Sequence, residues 1–354
     1  IKINKKIGIE HMSKNYTVYL GSVTKMSYEE NIQHCRDWAD YLYGKGWGDY
    51  YYHDFDRGEV LRDKPINSLQ KTIDYINKKK GNPLNCMRSI SNYYAAQSSL
   101  DLLLNADVKA FRKHAYIAGK LLILSKDDYQ WAYNGINVDY FFLSIMSDSP
   151  DLIRFLIQHR GEIISVDAPY QRYDARPFFN ANTLLALSGE WELLRSRSQI
   201  FLNDESKARN YLKRIPDYEF YIALCDKNIE GMKAALNKLL EPKLAKRAVY
   251  DTNVWFDFYL QLQVLLYAKI ASIHGFDLGI DSPIAPKELI EYKPLEPQEY
   301  VDPYDFMKEF DYDKPIMNWI NYWNTIIEEN LSKEKKKRKG LSWFDRLVLK
   351  LFVK

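Results

Sequence analysis

Apolar positions in this chain recur every three to four residues in one segment after another, and no block of comparable strength alternates with period two. Ser27-x-x-Glu30 has the form of a capping box, and Ile32, Cys35, Ala39 and Leu42 then fall on one helical face that Gly44 closes. A second helix is predicted over about 66–80, stopped by Gly81-Asn82-Pro83, and a long one over about 84–104. Asp107 opens another that runs through Leu124. Ser149-Pro150-Asp151 is a strong start signal, with proline at the first helical position, acid after it, and Leu152, Phe155, Leu156 and His159 on the apolar face.

Two segments resemble each other. Residues 184–202 (LLALSGEWELLRSRSQIFL) and 221–240 (YIALCDKNIEGMKAALNKLL) each read as a helix ending in Ala-Leu, a polar turn, and a new amphipathic helix. Ala186-Leu187 and Ala223-Leu224 are 37 residues apart, a period typical of stacked helical hairpins. From Val254 to Ile273 the polar positions Asp257, Gln261, Lys269 and Ser272 form one narrow stripe, with Gln263 the exception, so this helix is expected to be buried on most sides. Gly275 then reads as its C′ residue, with His274 at the helix C-terminus. The pattern predicts an all-α protein of antiparallel helical hairpins, packed as a bundle or a short repeat-like stack. Its expected organisation is a foreign or unstructured leader (1–14), an N-terminal helical region (15–84), a helical domain (85–315), and a C-terminal helix, basic linker and amphipathic tail (316–354).

Composition narrows the class. Three well-separated cysteines, Cys35, Cys86 and Cys225, suggest neither a disulfide framework nor a zinc site, and a reducing compartment suits them. No secretory segment and no long apolar run is visible, so a cytoplasmic location is expected; His11-Met12 resembles a cloning junction. The net charge of +3 hides a division: residues 1–14 carry +3 and 333–354 carry +7, which leaves −7 on 15–332. An acidic body with basic ends disfavours a nucleic-acid binder.

Candidate chemistry is sparse. The stretch GKGWGDYYYHDFDRGE (44–59) lacks the phosphate-loop spacing, and His53, Asp54 and Asp56 have no second histidine nearby to complete a metal site. His274 beside Gly275 reads as a helix stop rather than a catalytic base. No catalytic residue, metal or cofactor is therefore assigned. The acidic stretch 288–313 (ELIEYKPLEPQEYVDPYDFMKEFDYD) is more informative: its net charge is −7, tyrosines are interleaved, and Pro294, Pro297 and Pro303 hold its first part extended. Glu296, Glu299, Tyr300, Asp302, Tyr304 and Asp305 are the expected contacts to a basic protein partner, unless the stretch simply wraps its own domain. At the C-terminus, Lys335, Lys336, Lys337 and Arg338 precede an amphipathic stripe that begins with Trp343 and Phe344, a pattern suited to an anionic membrane surface or a partner groove.

Between about residues 85 and 312 the chain resembles the immunity protein 49 family of bacterial polymorphic toxin systems. The resemblance rests on ordered blocks: YFFLSIMSDSPDLIRFLI, NTLLALSGEWELL, YLKRIPDYEFYIALCDKNIEGMKAALNKLL, YAKIASIHGFDLGIDSPIAPKELI and DPYDFMKEF. It implies an α-helical protein that neutralises a cognate toxin by direct binding, without catalysis, in the setting of interbacterial competition. It assigns no shared set of toxin-contacting residues. A cytoplasm-acting nuclease is the toxin class expected first, since nucleases present positive surfaces to phosphate. The alternatives are a helical-repeat adaptor with a membrane-binding tail, and a hydrolase using the 44–59 loop.

Overall fold

The computed structural model describes residues 27–40, 52–53, 60–61, 69–126, 139–163, 176–248 and 253–340. These residues form sixteen α-helical segments, two 3-10 turns, and one two-residue antiparallel ladder pairing β1 (Tyr52–His53) with β2 (Val60–Leu61). The all-α class expected from the 3.6-residue period is the observed one.

Helix α1 (Tyr28–Ala39) opens at the capping box: Ser27 Oγ accepts from Glu30 N at 3.1 Å, and the Glu30 carboxylate accepts from Ser27 N. Ile32 and Cys35 are buried as expected; Leu42 and Gly44 lie outside the described residues. Helix α2 (Leu69–Asn77) ends about three residues before the expected stop, and residues 66–68 lie outside the described residues. Helices α3 (Pro83–Leu103) and α4 (Val108–Leu124) form the central pair, capped by the side chains of Asn82 and Asp107, and α1 and α2 pack against α3. Helix α5 (Asp139–Met146) leads into α6 (Pro150–Gln158), capped by Ser149, and a single turn, α7 (Arg160–Ile163).

The two similar segments form successive hairpins, α8 (Arg176–Ser188) with α9 (Trp191–Asn203), and α10 (Ile215–Cys225) with α11 (Ile229–Leu240), followed by α12 (Pro242–Ala248). Several turns share one device. Ala106, Asp148 and Lys227 adopt left-handed φ values of 52°, 58° and 55°, and the next residue, Asp107, Ser149 or Asn228, caps the following helix. Gly189, at φ 74°, makes the left-handed turn between α8 and α9, where Glu190 follows without a side-chain cap.

Helix α13 spans Leu262–Ile273, so the expected start at Val254 is corrected. Residues 254–259 form turns, and Gln261 begins the helix because its side chain accepts from Gln263 N while its amide donates to Leu239 O at 3.1 Å. Residues 262–271 are all buried, and Gly275 follows at φ 86°. Short turns α14 (Lys287–Ile290) and α15 (Asp305–Lys308) precede α16 (Ile316–Gly340). That last helix runs unbroken through the basic stretch expected to be a linker, because nothing between Lys333 and Lys339 breaks a helix. Among the described residues the main hydrophobic core draws on side chains from Ile32 to Trp323, with a small second cluster at Ala245 and Ile284.

Candidate functional site

The acidic stretch closes over the helices as a strap. Its prolines do keep much of it extended, and its polar groups are fastened one after another to α3–α7 and α13. Arg112 Nη2 donates to Glu288 O at 3.0 Å, Lys269 Nζ to Glu291 O at 2.7 Å, and Lys293 N to Asp148 Oδ2 at 3.3 Å. The Tyr300 hydroxyl accepts from Leu295 N at 2.9 Å and donates to Ser147 O at 3.2 Å. Glu299 lies 2.9 Å from Lys109 and 2.8 Å from Lys113, which hold its carboxyl down at about 2. Asp302 takes Lys120 at 2.6 Å and the Tyr116 hydroxyl at 3.0 Å; burial lowers the Lys120 amine from its ordinary value against the opposing pull of that carboxylate. Tyr304 shares a 3.0 Å hydrogen bond with Tyr94, and Phe306, Met307 and Phe310 are buried. At the far end His159 Nε2 donates to Tyr312 O at 2.8 Å, and Ile316 N donates to Glu162.

Of the six residues expected to meet a partner, Tyr300, Asp302 and Tyr304 are therefore hydrogen-bonded to the body of the protein. The reason is physical: a half-buried tyrosine hydroxyl needs an acceptor or donor, and α3, α4 and the end of α5 supply them. Glu299 is tied down by α4. Glu296 and Asp305 remain on the outer rim with Val301, which is 57% exposed, and Asp305 makes only a local pair with Lys308 at 2.9 Å.

Beneath the strap lies a group that the sequence reading missed. Asp148 is fully buried, with Oδ2 2.7 Å from Arg112 Nε and Oδ1 bound to Lys269, itself fully buried. Burial pushes the Lys269 amine down to about 8, against the pull of Asp148. A lone lysine inside an otherwise apolar helix was the available signal. Its partner, Asp148, lies 121 positions away, too far along the chain for the pattern to pair them. The cluster meets only backbone carbonyls and amides of the strap, so its evident role is to hold the strap down.

His274 donates across the fold to Ala186 O at 2.8 Å and packs on the Trp191 ring, which ties the end of α13 to the end of α8. His53 is described only as backbone, and Asp54, Asp56 and most of the 44–59 loop lie outside the described residues. Among the described residues no group of three or more His, Cys, Asp or Glu is placed to hold a metal ion, and no helix is long and apolar enough to cross a membrane. Lys335, Lys336, Lys337 and Arg338 belong to the last turns of α16, described as backbone alone, while Trp343 and Phe344 lie outside the described residues.

Searches of curated proteins and of solved structures return no match. Residues 134–289, from just before α5 through α13 to the first turn of the strap, match the family model described as Immunity protein 49, and over that segment the chain is similar to the Immunity protein 49 family.

Proposed function

We propose that this protein neutralises a cognate toxin by binding it directly, with no catalytic step. The match over residues 134–289 carries this reading. Within it, the outer rim of the strap supplies part of the contact: Glu296 and Asp305 present charge, Val301 an exposed apolar crest, and Glu299 shares the rim. Tyr300, Asp302 and Tyr304 hold that rim in place from inside. A carboxylate-bearing rim suits a basic toxin, and a nuclease acting in the cytoplasm is the class that fits best. Delivery between competing bacteria, by type VI secretion, is the setting we favour.

The test is co-expression with candidate toxins, any encoded beside its gene first, followed by binding kinetics. Wild-type protein should restore growth and bind the toxin. Reversing Glu296 and Asp305 to lysine should slow association about threefold or more, with the loss shrinking as salt is added over a screening length of about 8–10 Å. No binding by the wild-type protein would end the reading. Unchanged kinetics in the folded double variant would move the interface off the strap.

The helical continuation of α16 through Lys335–Arg338 favours a second contact, with an anionic surface. Sedimentation with phosphatidylserine vesicles should be lost when residues 333–354 are deleted. Retained sedimentation would remove this role.

A further inference from the structure

An apolar cleft of about 150 Å³ opens beside the first turn of the strap. Its walls are Leu103, Val108, Leu260 and Leu289, and its mouth is formed by Ala106, Pro283 and Glu288, all three exposed. The Tyr28 hydroxyl, which also lines it, is spent on Leu103 O at 3.2 Å. A cleft of this volume is the size of one benzene ring, well below the roughly 300–1,000 Å³ of a cofactor or substrate site. It suits one aromatic or branched aliphatic side chain.

The surroundings select what carries that side chain. Glu288 stands at the mouth, and Asp107, exposed, lies between Ala106 and Val108. Asp281, also exposed, precedes Pro283 by two residues. The nearby lysines are engaged: Lys287 lies 3.5 Å from both Asp277 and Glu291, and Lys109 is bound to Glu299. Lys109 also lies within electrostatic reach of both Asp107 and Glu296, so the cleft and the strap rim lie on the same side of α4. An acid-rimmed apolar cleft disfavours an anionic lipid and favours a basic protein segment.

We propose that this cleft is the anchor point of the toxin-binding face, receiving one apolar side chain from a lysine- or arginine-rich segment of the partner. The strap rim then steers the encounter by charge, and the cleft slows dissociation by burying the anchor. The inference rests on the toxin-binding reading for the identity of the partner. Its experiment uses peptides in place of the toxin, so a failure here leaves that reading to be judged by co-expression.

Fluorescence anisotropy of the full chain with three short labelled peptides decides the matter: lysine-rich with a central Phe, lysine-rich with a central Ala, and glutamate-rich with a central Phe. The lysine-Phe peptide should bind about tenfold or more tighter than the lysine-Ala peptide, and tighter than the glutamate-Phe peptide. Val108→Phe, which fills the cleft, should erase the preference for Phe over Ala, and Glu288→Lys, at an exposed position, should weaken both lysine peptides. Equal binding of the Phe and Ala peptides to the wild-type protein would overturn the proposal. So would a Phe preference surviving in Val108→Phe with a native circular dichroism spectrum, or a glutamate-Phe peptide that binds as tightly as its lysine counterpart. Should Val108→Phe not fold, the wild-type comparison and Glu288→Lys still decide it.

Discussion

Asp148 sits at φ 58° between α5 and α6, with one carboxylate oxygen on Arg112 and the other on Lys269. Aspartate tolerates this left-handed conformation better than most residues, and asparagine shares the tolerance. Asp148→Asn therefore isolates the electrostatics: it keeps shape and backbone but leaves two buried cations without a counter-charge. Urea unfolding should show a loss of about 3–5 kcal/mol. Lys269 adds a pH signature. Its folded value, lowered to about 8 by burial, lies below lysine's ordinary 10.5, so between those values the unfolded chain holds the proton more firmly. This group's contribution to stability should accordingly rise from pH 8 to 10.5, and Lys269→Met should remove that rise relative to the wild type. A wild-type and variant profile of identical slope over that interval would contradict the assignment.

At the scale of elements, α4 and α5 approach so closely that a Cβ on Gly119 would lie 2.8 Å from both Cα and N of Ser144. Backbone atoms cannot swing aside, so the gain in helix propensity from alanine is outweighed by overpacking. Gly119→Ala should destabilise by about 1–3 kcal/mol in denaturant unfolding. The strap separates two kinds of residue by their readouts. Tyr300→Phe loses the contacts to Ser147 O and Leu295 N, and should cost about 1–2 kcal/mol of stability while leaving the association rate with the toxin unchanged. Glu296→Lys should do the reverse. A stability loss in both, or an association defect in both, would mean that the rim is not distinct from its fastenings.

Across the whole molecule the strap charge is less free than its sequence suggests. Glu299 and Asp302 are met by Lys109, Lys113 and Lys120, all from one helix, so the acidic segment partly neutralises α4 instead of standing apart from it. The strap also delivers the chain to α16, whose Ile316, Ile320 and Trp323 complete the core, and whose Asn330 reaches the carbonyls of Lys79 and Gly81. Truncation before Ile316 should therefore act globally. Each large buried side chain removed is worth about 1.5–3 kcal/mol, and the thermal transition should fall and broaden, not merely lose helical signal. An unchanged midpoint would place α16 outside the cooperative unit.

What the sequence determined by itself is what short-range bonding decides. Helix starts at Ser27, Asp107 and Ser149 were legible because a capping side chain meets an amide three residues away, and the stop at Gly275 because glycine accepts a left-handed φ without a clash. The paired hairpins and the all-α class followed from period alone. The stops at Ala106, Asp148 and Lys227 were not marked by glycine; the first two turns were placed by the caps that follow them, and the third by the polar break between two apolar-periodic segments. The start of α13 was overrun because residues 254–259 are as apolar as the helix, and the contacts of Gln261 with Leu239 and Ile284 that define its entry lie some twenty residues away. Only tertiary structure decided which way the strap faces. Asp302 finds Lys120 across 182 positions and Tyr304 finds Tyr94 across 210. A tyrosine among carboxylates reads the same along the chain whether it meets solvent or a neighbouring hydroxyl, because burial belongs to the surface it lands on and not to the residues beside it.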